Sequence, residues 1–579
     1  MKRLAMLLLV LVTLSGCAAI PTNTQPKPIG SKDSKASNVP AAPEPLQNID
    51  PFTLVRDFIE ATSNPDNNYA AARAFMTPDA SRKWDTKNPT IIETAFSTVP
   101  TSQAPQDNKT QTVLLQGKYI GRLGSDNAFV PQLGDFQKPV KVERNNENQW
   151  RISEPPAGIY MPQNLFNTTY RRITLYFYNP EFTVLVPDPR YVVIPPATSI
   201  PTRVTELLIA GPGDAVRDTL VSALGPDADK FSDTRESDDG ALEVNLTNVG
   251  KDLTPEKRKQ IVAQVVKSYL GVTSSRVRVL VDGQQILPDQ RDYRPSDVSA
   301  TAGEALLALN ANLQGMIVAD GSVRSLTDGA PIKGPAGTGA YSVASAAQSL
   351  DGSRLAVVTR SGGGMRLRVG ELEQELSEVD LVATTLSRPT WQLSSGPKEP
   401  GTEVWTAVDG TSVTRVTRSD NGSWTAKGVN ITDIVPFGSI SELRLSRDGT
   451  RAALVIAGKL YIASVVRNDQ DVALRSPRQL QPSILGSAVQ SIDWLSQDVL
   501  VVSSSLPSWP VSKVYTDGYR MDRYSQSNLT VPVGSVAAAP ARQVQVVDPS
   551  GLWSASDITD VWRSSGIRVP MGALVFYPG

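Results

Sequence analysis

The chain has 579 residues, 57 Lys+Arg against 58 Asp+Glu, no histidine and one cysteine, with a formal net charge of −1. This length predicts about three or four domains, each able to bury an ordinary core, and the balanced charge removes the electrostatic basis for binding a polynucleotide. The missing histidine excludes Ser-His-Asp and Cys-His mechanisms and His-ligated metals, and a single cysteine excludes intrachain disulfides, CxxC redox chemistry and cysteine-based zinc sites.

At the amino terminus, Lys2 and Arg3 precede an apolar run from Leu4 to Leu14, followed by Ser15 and Gly16. Residues 1–16 therefore read as a secretory signal peptide; a permanent membrane helix needs about 20 apolar residues. Leu14-Ser15-Gly16-Cys17 resembles the bacterial lipobox. That resemblance implies cleavage between Gly16 and Cys17, with S-diacylglycerol and an N-linked palmitate or similar acyl group on Cys17, and so a lipid anchor on the extracytoplasmic face of the cell membrane. The alternative is a lone cysteine beside an ordinary signal peptide and a released protein. Residues 17–48, with prolines at 21, 26, 28, 40, 43 and 45, read as a disordered tether, spanning on the order of 30 Å root-mean-square.

The first folded region, 49–160, opens with Asp50-Pro51, an N-cap followed by Pro at the first helical position. Leu54, Val55, Phe58 and Ile59 recur at helical spacing, and a second short helix is expected over Tyr69 to Met76. Strand-like runs follow at Gln111–Leu115, Lys118–Leu123, Phe136–Val142 and Trp150–Ile152. Helices first and strands later predict an α+β domain, and this order resembles the NTF2-like fold.

The second region, 165–290, contains the alternating strand Arg172–Tyr178, then Thr183–Val186 and Arg190–Ile194. A helix over Thr202–Ala210 is closed by Gly211-Pro212-Gly213, Leu242–Leu246 is a strand, and Thr254-Pro255-Glu256 starts a long helix. Val277–Val281 ends in the hairpin-type turn Asp282-Gly283. The LYFYN string, the helix-ending LLIAGPG and the terminal VRVLVDG resemble the GerMN domain of spore-germination and cell-envelope proteins. That family implies an interaction module with no assigned catalytic residues.

From 303 to 579 the chain is nearly all strand, and it repeats. Ser349-Leu-Asp-Gly-Ser-Arg354 returns as Ser446-Arg-Asp-Gly-Thr-Arg451, and Thr390-Trp391 as Asp493-Trp494. With Asp-Gly turns at 320, 328, 351, 409, 448 and 517, this spacing predicts an all-β propeller of about six blades. One or two β-sandwiches are the alternative.

No Gly-Lys pair completes a P-loop. Gly334-Pro-Ala-Gly-Thr-Gly339 has the wrong spacing for a dinucleotide loop and reads as an interstrand connection. Ser395-Gly-Pro-Lys398 and Ser419-Asp-Asn421 match two boxes of a serine acylase, but the K-T-G box is missing and Ser395 lies among Gly and Pro. Asp238-Asp239 and Glu371, Glu373 and Glu375 read as solvated turns, and no Asp-Gly turn matches an EF-hand. No catalytic, cofactor or metal residue emerges.

In this order, lipobox, Pro-rich tether, α+β domain, GerMN-like domain and propeller resemble the actinobacterial LpqB lipoprotein family. The resemblance rests on LSGC at 14–17, the LYFYN to VRVLVDG block and the two SxDGxR units. It implies a non-enzymatic accessory that binds the extracytoplasmic domain of a sensor kinase of the MtrA-MtrB type and affects envelope homeostasis. The competing expectation is a cell-surface glycan or peptidoglycan binder or hydrolase using the propeller face.

Overall fold

The computed structural model describes residues 45–101, 109–194, 196–250, 253–307, 313–392, 401–468 and 471–579, within one compact unit spanning 44–579. Gly16, Cys17, the signal peptide 1–16, most of the 17–48 tether, Ser395 and Lys398 lie outside the described residues.

Asp50 caps helix α1 (Pro51–Ala61) by accepting from the backbone N–H groups of Phe52 and Thr53. Leu54, Val55, Phe58 and Ile59 are fully buried on its inner face. Helix α2 spans Asp66–Arg73, earlier than the apolar pattern suggests. The expected end at Met76 is lost because Met76 bridges to Ile152 and Thr77 instead caps a third helix, α3 (Pro78–Lys83). These helices cover a seven-stranded sheet whose main path holds β1 (Thr90–Ile92), β2 (Thr110–Leu123), β3 (Asp135–Arg144), β4 (Trp150–Glu154) and β5 (Tyr160–Pro162), with the short strands Ser97–Pro100 and Phe129–Pro131 also paired to β2. The strand order is β4-β3-β2-β1-β5, antiparallel except where β1 meets β5. Strand β2 is continuous across Gly117, where two runs are expected from the sequence; a Cβ there would stand 3.0 Å from the Phe136 ring, so glycine admits that ring without breaking the strand.

Helix α4 (Gln163–Thr169) leads into β6 (Tyr170–Tyr178), which pairs along its length with β7 (Leu185–Val193) and ends in a bridge from Tyr178 to Val221. The two runs expected at 183–186 and 190–194 are thus one strand running through Pro187-Asp188-Pro189. The ribbon belongs to two cores: Tyr170 and Tyr191 pack with the first sheet, and Leu175, Phe177 and Val192 with the layer that follows. That layer holds α5 (Ile200–Ala210), which stops at Gly211 with φ +88°. It also holds β8 (Leu242–Thr247), α6 (Pro255–Ser268) and β9 (Val277–Val281), with β8 and β9 parallel across the α6 crossover. Asp282 and Gly283, at φ +50° and +76°, turn β9 back on itself.

From Met316 onward the described strands form six antiparallel sheets. The first joins Met316–Ala319 and Ser322–Ser325 to the last strand of the chain, Leu574–Phe576. The other five have four strands each, and their leading strands are β10 (Val343–Gln348), β11 (Thr390–Trp391), β12 (Ile440–Leu445), β13 (Val489–Ser496) and β14 (Ser535–Ala537). Each leading strand packs on the next, and β14 packs on Leu574–Phe576 (β15), so the order closes on itself. Asp320-Gly321 and Asp409-Gly410 make hairpins with both residues at positive φ. Ala457-Gly458 does the same without the Asp-Gly signature. The 334–339 string connects two sheets as expected, with a single helical turn, Pro335–Thr338, inside it.

The repeat has a physical meaning. In both SxDGxR units the serine hydroxyl donates to the aspartate and accepts from the arginine N–H, closing the turn between the first two strands of a sheet. Trp391 and Trp494 are equivalent as well: their indole N–H groups donate to Ala347 and Arg444 carbonyls on the preceding leading strand, at 2.9 and 3.1 Å. Replacing buried Trp494 with alanine removes that inter-sheet link and leaves a large cavity; a loss of about 3–5 kcal/mol is expected, read as a lower denaturant midpoint.

Candidate functional site

The side chains that do most to organise the molecule converge where its three parts meet. Arg172, near the start of β6, reaches the ring of sheets: Nε donates to Asp517 Oδ2 at 2.6 Å and Nη2 to Asp498 Oδ2 at 2.9 Å. Asp517 is fully buried and has four donors, because Tyr191 Oη also donates to Oδ2 and the N–H groups of Tyr519 and Arg520 donate to Oδ1. Burial works against the Arg172 charge, but Asp517 and Asp498 hold its pKa above the usual arginine value. Burial, reinforced by Asp517, raises the Tyr191 phenol, so it stays protonated and donates.

Around this pair the edge of β7 meets all three parts. Gln497 donates to the Leu185 carbonyl at 3.0 Å, Arg451 donates to the Pro187 carbonyl, and Asn127 exchanges two bonds with Tyr191. Pro187 and Pro189 face the same open side and have no N–H to leave unpaired there. Arg190 is buried with Asp188 and donates to the Asp126 carbonyl at 2.9 Å. Phe129, Phe166, Tyr191 and Tyr519, drawn from all three parts, pack edge-on or tilted with centroids 5.0–6.4 Å apart.

The junction encloses a cavity of about 40 Å³ lined by Asp126, Asp188, Arg451, Ser464, Thr516 and Asp517, among others. The buried Thr516 hydroxyl has no partner. The space suits an ordered water rather than a substrate, since ligand pockets run to roughly 300–1,000 Å³. Arginines 172, 190, 451 and 478 balance aspartates 126, 188, 498 and 517, so the site has no surplus charge to attract an ion.

A second charged cluster closes the centre of the ring. Arg388 spans it, donating to the Val575 and Ile492 carbonyls at 3.0 and 3.2 Å. Glu442 accepts from the Ile492 N–H, Asp493 from the Ala538 N–H, and Arg444 donates to the Pro389 and Gly579 carbonyls. Burial pushes the Glu442 carboxyl up, against the pull of Arg388 and Arg444. Burial also lowers Arg444 to about 10, helped by Arg388. These groups bond mainly to backbone and to one another, while the buried Arg388 Nε has no partner.

The other residues weighed in the sequence do not assemble into a site. Asp239 is held below the usual carboxylate range by Arg278, and Glu371, Glu373 and Glu375 are exposed. Ser419 and Asn421 close a tight turn. Among the described residues no three His, Cys, Asp or Glu side chains form a metal-ligating group, and no helix is long and apolar enough to cross a membrane. The junction residue that sequence reasoning missed is Asp498. Ser496 donates to it at 3.1 Å, making a third serine-aspartate turn without the glycine; the spacing of 50 residues after Asp448 was the available signal.

Two family models match: "Lipoprotein LpqB, N-terminal domain" over residues 44–167 and "Lipoprotein LpqB beta-propeller domain" over 321–570. The chain is 34% identical to Lipoprotein LpqB of Rhodococcus jostii over 92% of its own length and 90% of that protein. It is 31% identical to Lipoprotein LpqB of Mycobacterium tuberculosis over 100% of both chains. The tandem GerMN domains of GerM from Bacillus subtilis align over 22% of this chain and 46% of that one, at 18% identity and a TM-score of 0.17.

Asp517→Ala leaves Arg172 paired with Asp498 alone and strips the Tyr191 hydroxyl and the Tyr519 and Arg520 N–H groups of their acceptor. A loss of about 3–5 kcal/mol is expected, with faster proteolysis between the amino-terminal parts and the ring; Asp498→Asn, at a site 23% exposed, should cost less. Because the folded-state pKa of Tyr191 is raised, its contribution is complete below about pH 10 and disappears as pH climbs further. The melting temperature should therefore fall above pH 10, and less steeply in Tyr191→Phe.

Proposed function

The chain belongs to the LpqB lipoprotein family, and on that premise we propose that it is a membrane-anchored, extracytoplasmic, non-enzymatic accessory. In this reading it binds and modulates the sensor kinase of a two-component system of the MtrA-MtrB type, in cell-envelope homeostasis. The relationship to LpqB lipoproteins along the whole chain is the observation that carries it. Cys17 is the lipid attachment point, and signal peptidase cuts between Gly16 and Cys17. Two or three acyl chains, at about 0.8 kcal/mol per buried methylene, hold the protein far more firmly than one myristoyl chain would. The ring is read as a six-bladed propeller, supported by its six sheets and the closing strand Leu574–Phe576. Residues 49–160 are read as NTF2-like and 165–290 as a GerMN-like interaction module.

The charges at the junction and in the ring centre bond mostly to backbone and to one another, which favours a binding role over catalysis. A body whose three parts share buried contacts presents surfaces to an extracytoplasmic partner without needing an active site.

Cys17→Ser should move the protein from the membrane fraction to the soluble fraction. Pull-down of the intact, lipidated protein from detergent-solubilised membranes should recover the sensor kinase, and deletion should change the phosphorylation of its response regulator. Recovery of no kinase together with unchanged phosphorylation overturns the reading.

A further inference from the structure

Successive residues of a strand face opposite ways, and the arginine pair near the start of β6 divides accordingly. Arg172 turns to the ring and its two aspartates. Arg171 turns to the layer behind, where its guanidinium donates to the Gly271 carbonyl just beyond the end of α6. That bond uses one of five guanidinium N–H groups, and Arg171, itself exposed, lines an open groove.

The groove has a volume of about 740 Å³, within the size range of ligand sites and far above that of the junction cavity. It lies between the start of β6, the end of α6 with the turn that follows, the start of β9, and the segment entering the helical turn Pro295–Val298. Three kinds of side chain line it. Leu270, 50% exposed, stands with buried Val277 as apolar surface; Ser274 and Ser275 bring hydroxyls; Arg171 and Arg294 bring charge. No Asp or Glu lines the groove. The carboxylates on the neighbouring segments are engaged elsewhere: Asp292 with Arg276 and Arg278 at 3.0 and 2.8 Å, Glu304 with Lys267, and Asp297 with the backbone N–H of Arg294 at 2.8 Å. Among the described residues none forms an ion pair with the Arg294 side chain.

We propose that this groove binds an amphipathic organic phosphate, with the phosphate on Arg171, Arg294 and the two serines and an apolar portion on Leu270 and Val277. Two guanidinium groups without a carboxylate leave a local surplus of positive charge, which sets the sign of the ligand. Two guanidinium forks and two hydroxyls offer more donors than the two oxygens of a carboxylate can meet, whereas a phosphate brings three. A free phosphate ion would fill little of the groove and would leave Leu270 in water, so the ligand carries an apolar portion. The site is separate from the junction and from the ring centre, and it stands whether or not a sensor kinase is the partner.

The test titrates the purified full-length protein with dihexanoyl phosphatidic acid below its micelle concentration, followed by calorimetry. One equivalent should bind, and more weakly as salt rises. Arg294→Gln breaks no ion pair among the described residues, so it should keep the melting temperature while the Kd rises at least tenfold. Arg171→Gln should weaken binding as much, with a lower melting temperature because the Gly271 contact goes too. Arg217→Gln makes the same change of charge at an exposed position paired with Asp214, and should bind as the parent does. No binding by the parent, or equal binding by the parent and Arg294→Gln, overturns the site. If inorganic phosphate binds as tightly as the lipid, the apolar portion plays no part and the amphipathic assignment is wrong; if decanoate does, the phosphate assignment is wrong. None of these results bears on the accessory role, which the kinase pull-down tests.

Discussion

An unpaired strand edge in a dry place is the constraint on which this structure turns. Every sheet in the ring leaves the inner side of its leading strand without a neighbouring strand, and an isolated two-stranded ribbon such as β6–β7 leaves two sides open. Each buried N–H or C=O left unmatched costs on the order of 1–3 kcal/mol. The molecule answers in three ways. Arg388, Glu442, Arg444 and Asp493 supply hydrogen bonds across the ring centre. Gln497, Arg451 and Asn127 supply them along β7, and Pro187 and Pro189 remove the donors where no acceptor waits.

That solution has functional consequences. The charged side chains of both interiors bond to backbone and side chains on neighbouring elements, so both act as joints. The junction couples α4, the β6–β7 ribbon and one sheet of the ring through Asn167, Arg172 and Tyr519.

Much of the fold is legible along the chain. Asp50, Thr254 and Gly211 mark helix ends through local hydrogen bonding and backbone freedom, and they act there as expected. The paired SxDGxR turns and the tryptophans at 391 and 494 expose a repeating unit because each copy faces the same neighbour. The failures are local signals overridden by packing. Met76 leaves a helical pattern to bridge Ile152, Gly117 passes through a strand to admit Phe136, and Ala457 takes a left-handed turn without an Asp-Gly pair. Asp498 hides because its turn keeps the serine and the aspartate but lacks the glycine.

By itself the sequence determined the absence of histidine chemistry, the single cysteine beside an apolar leader, the order of helical and strand segments, and the repeat. These follow from composition and from interactions within a few residues. Only the tertiary structure decided that Arg172 meets Asp517, 345 positions away, and that the last strand closes the first sheet. The physical reason is that an open strand edge states a need for partners without naming them. Which side chain arrives depends on how hundreds of intervening residues pack.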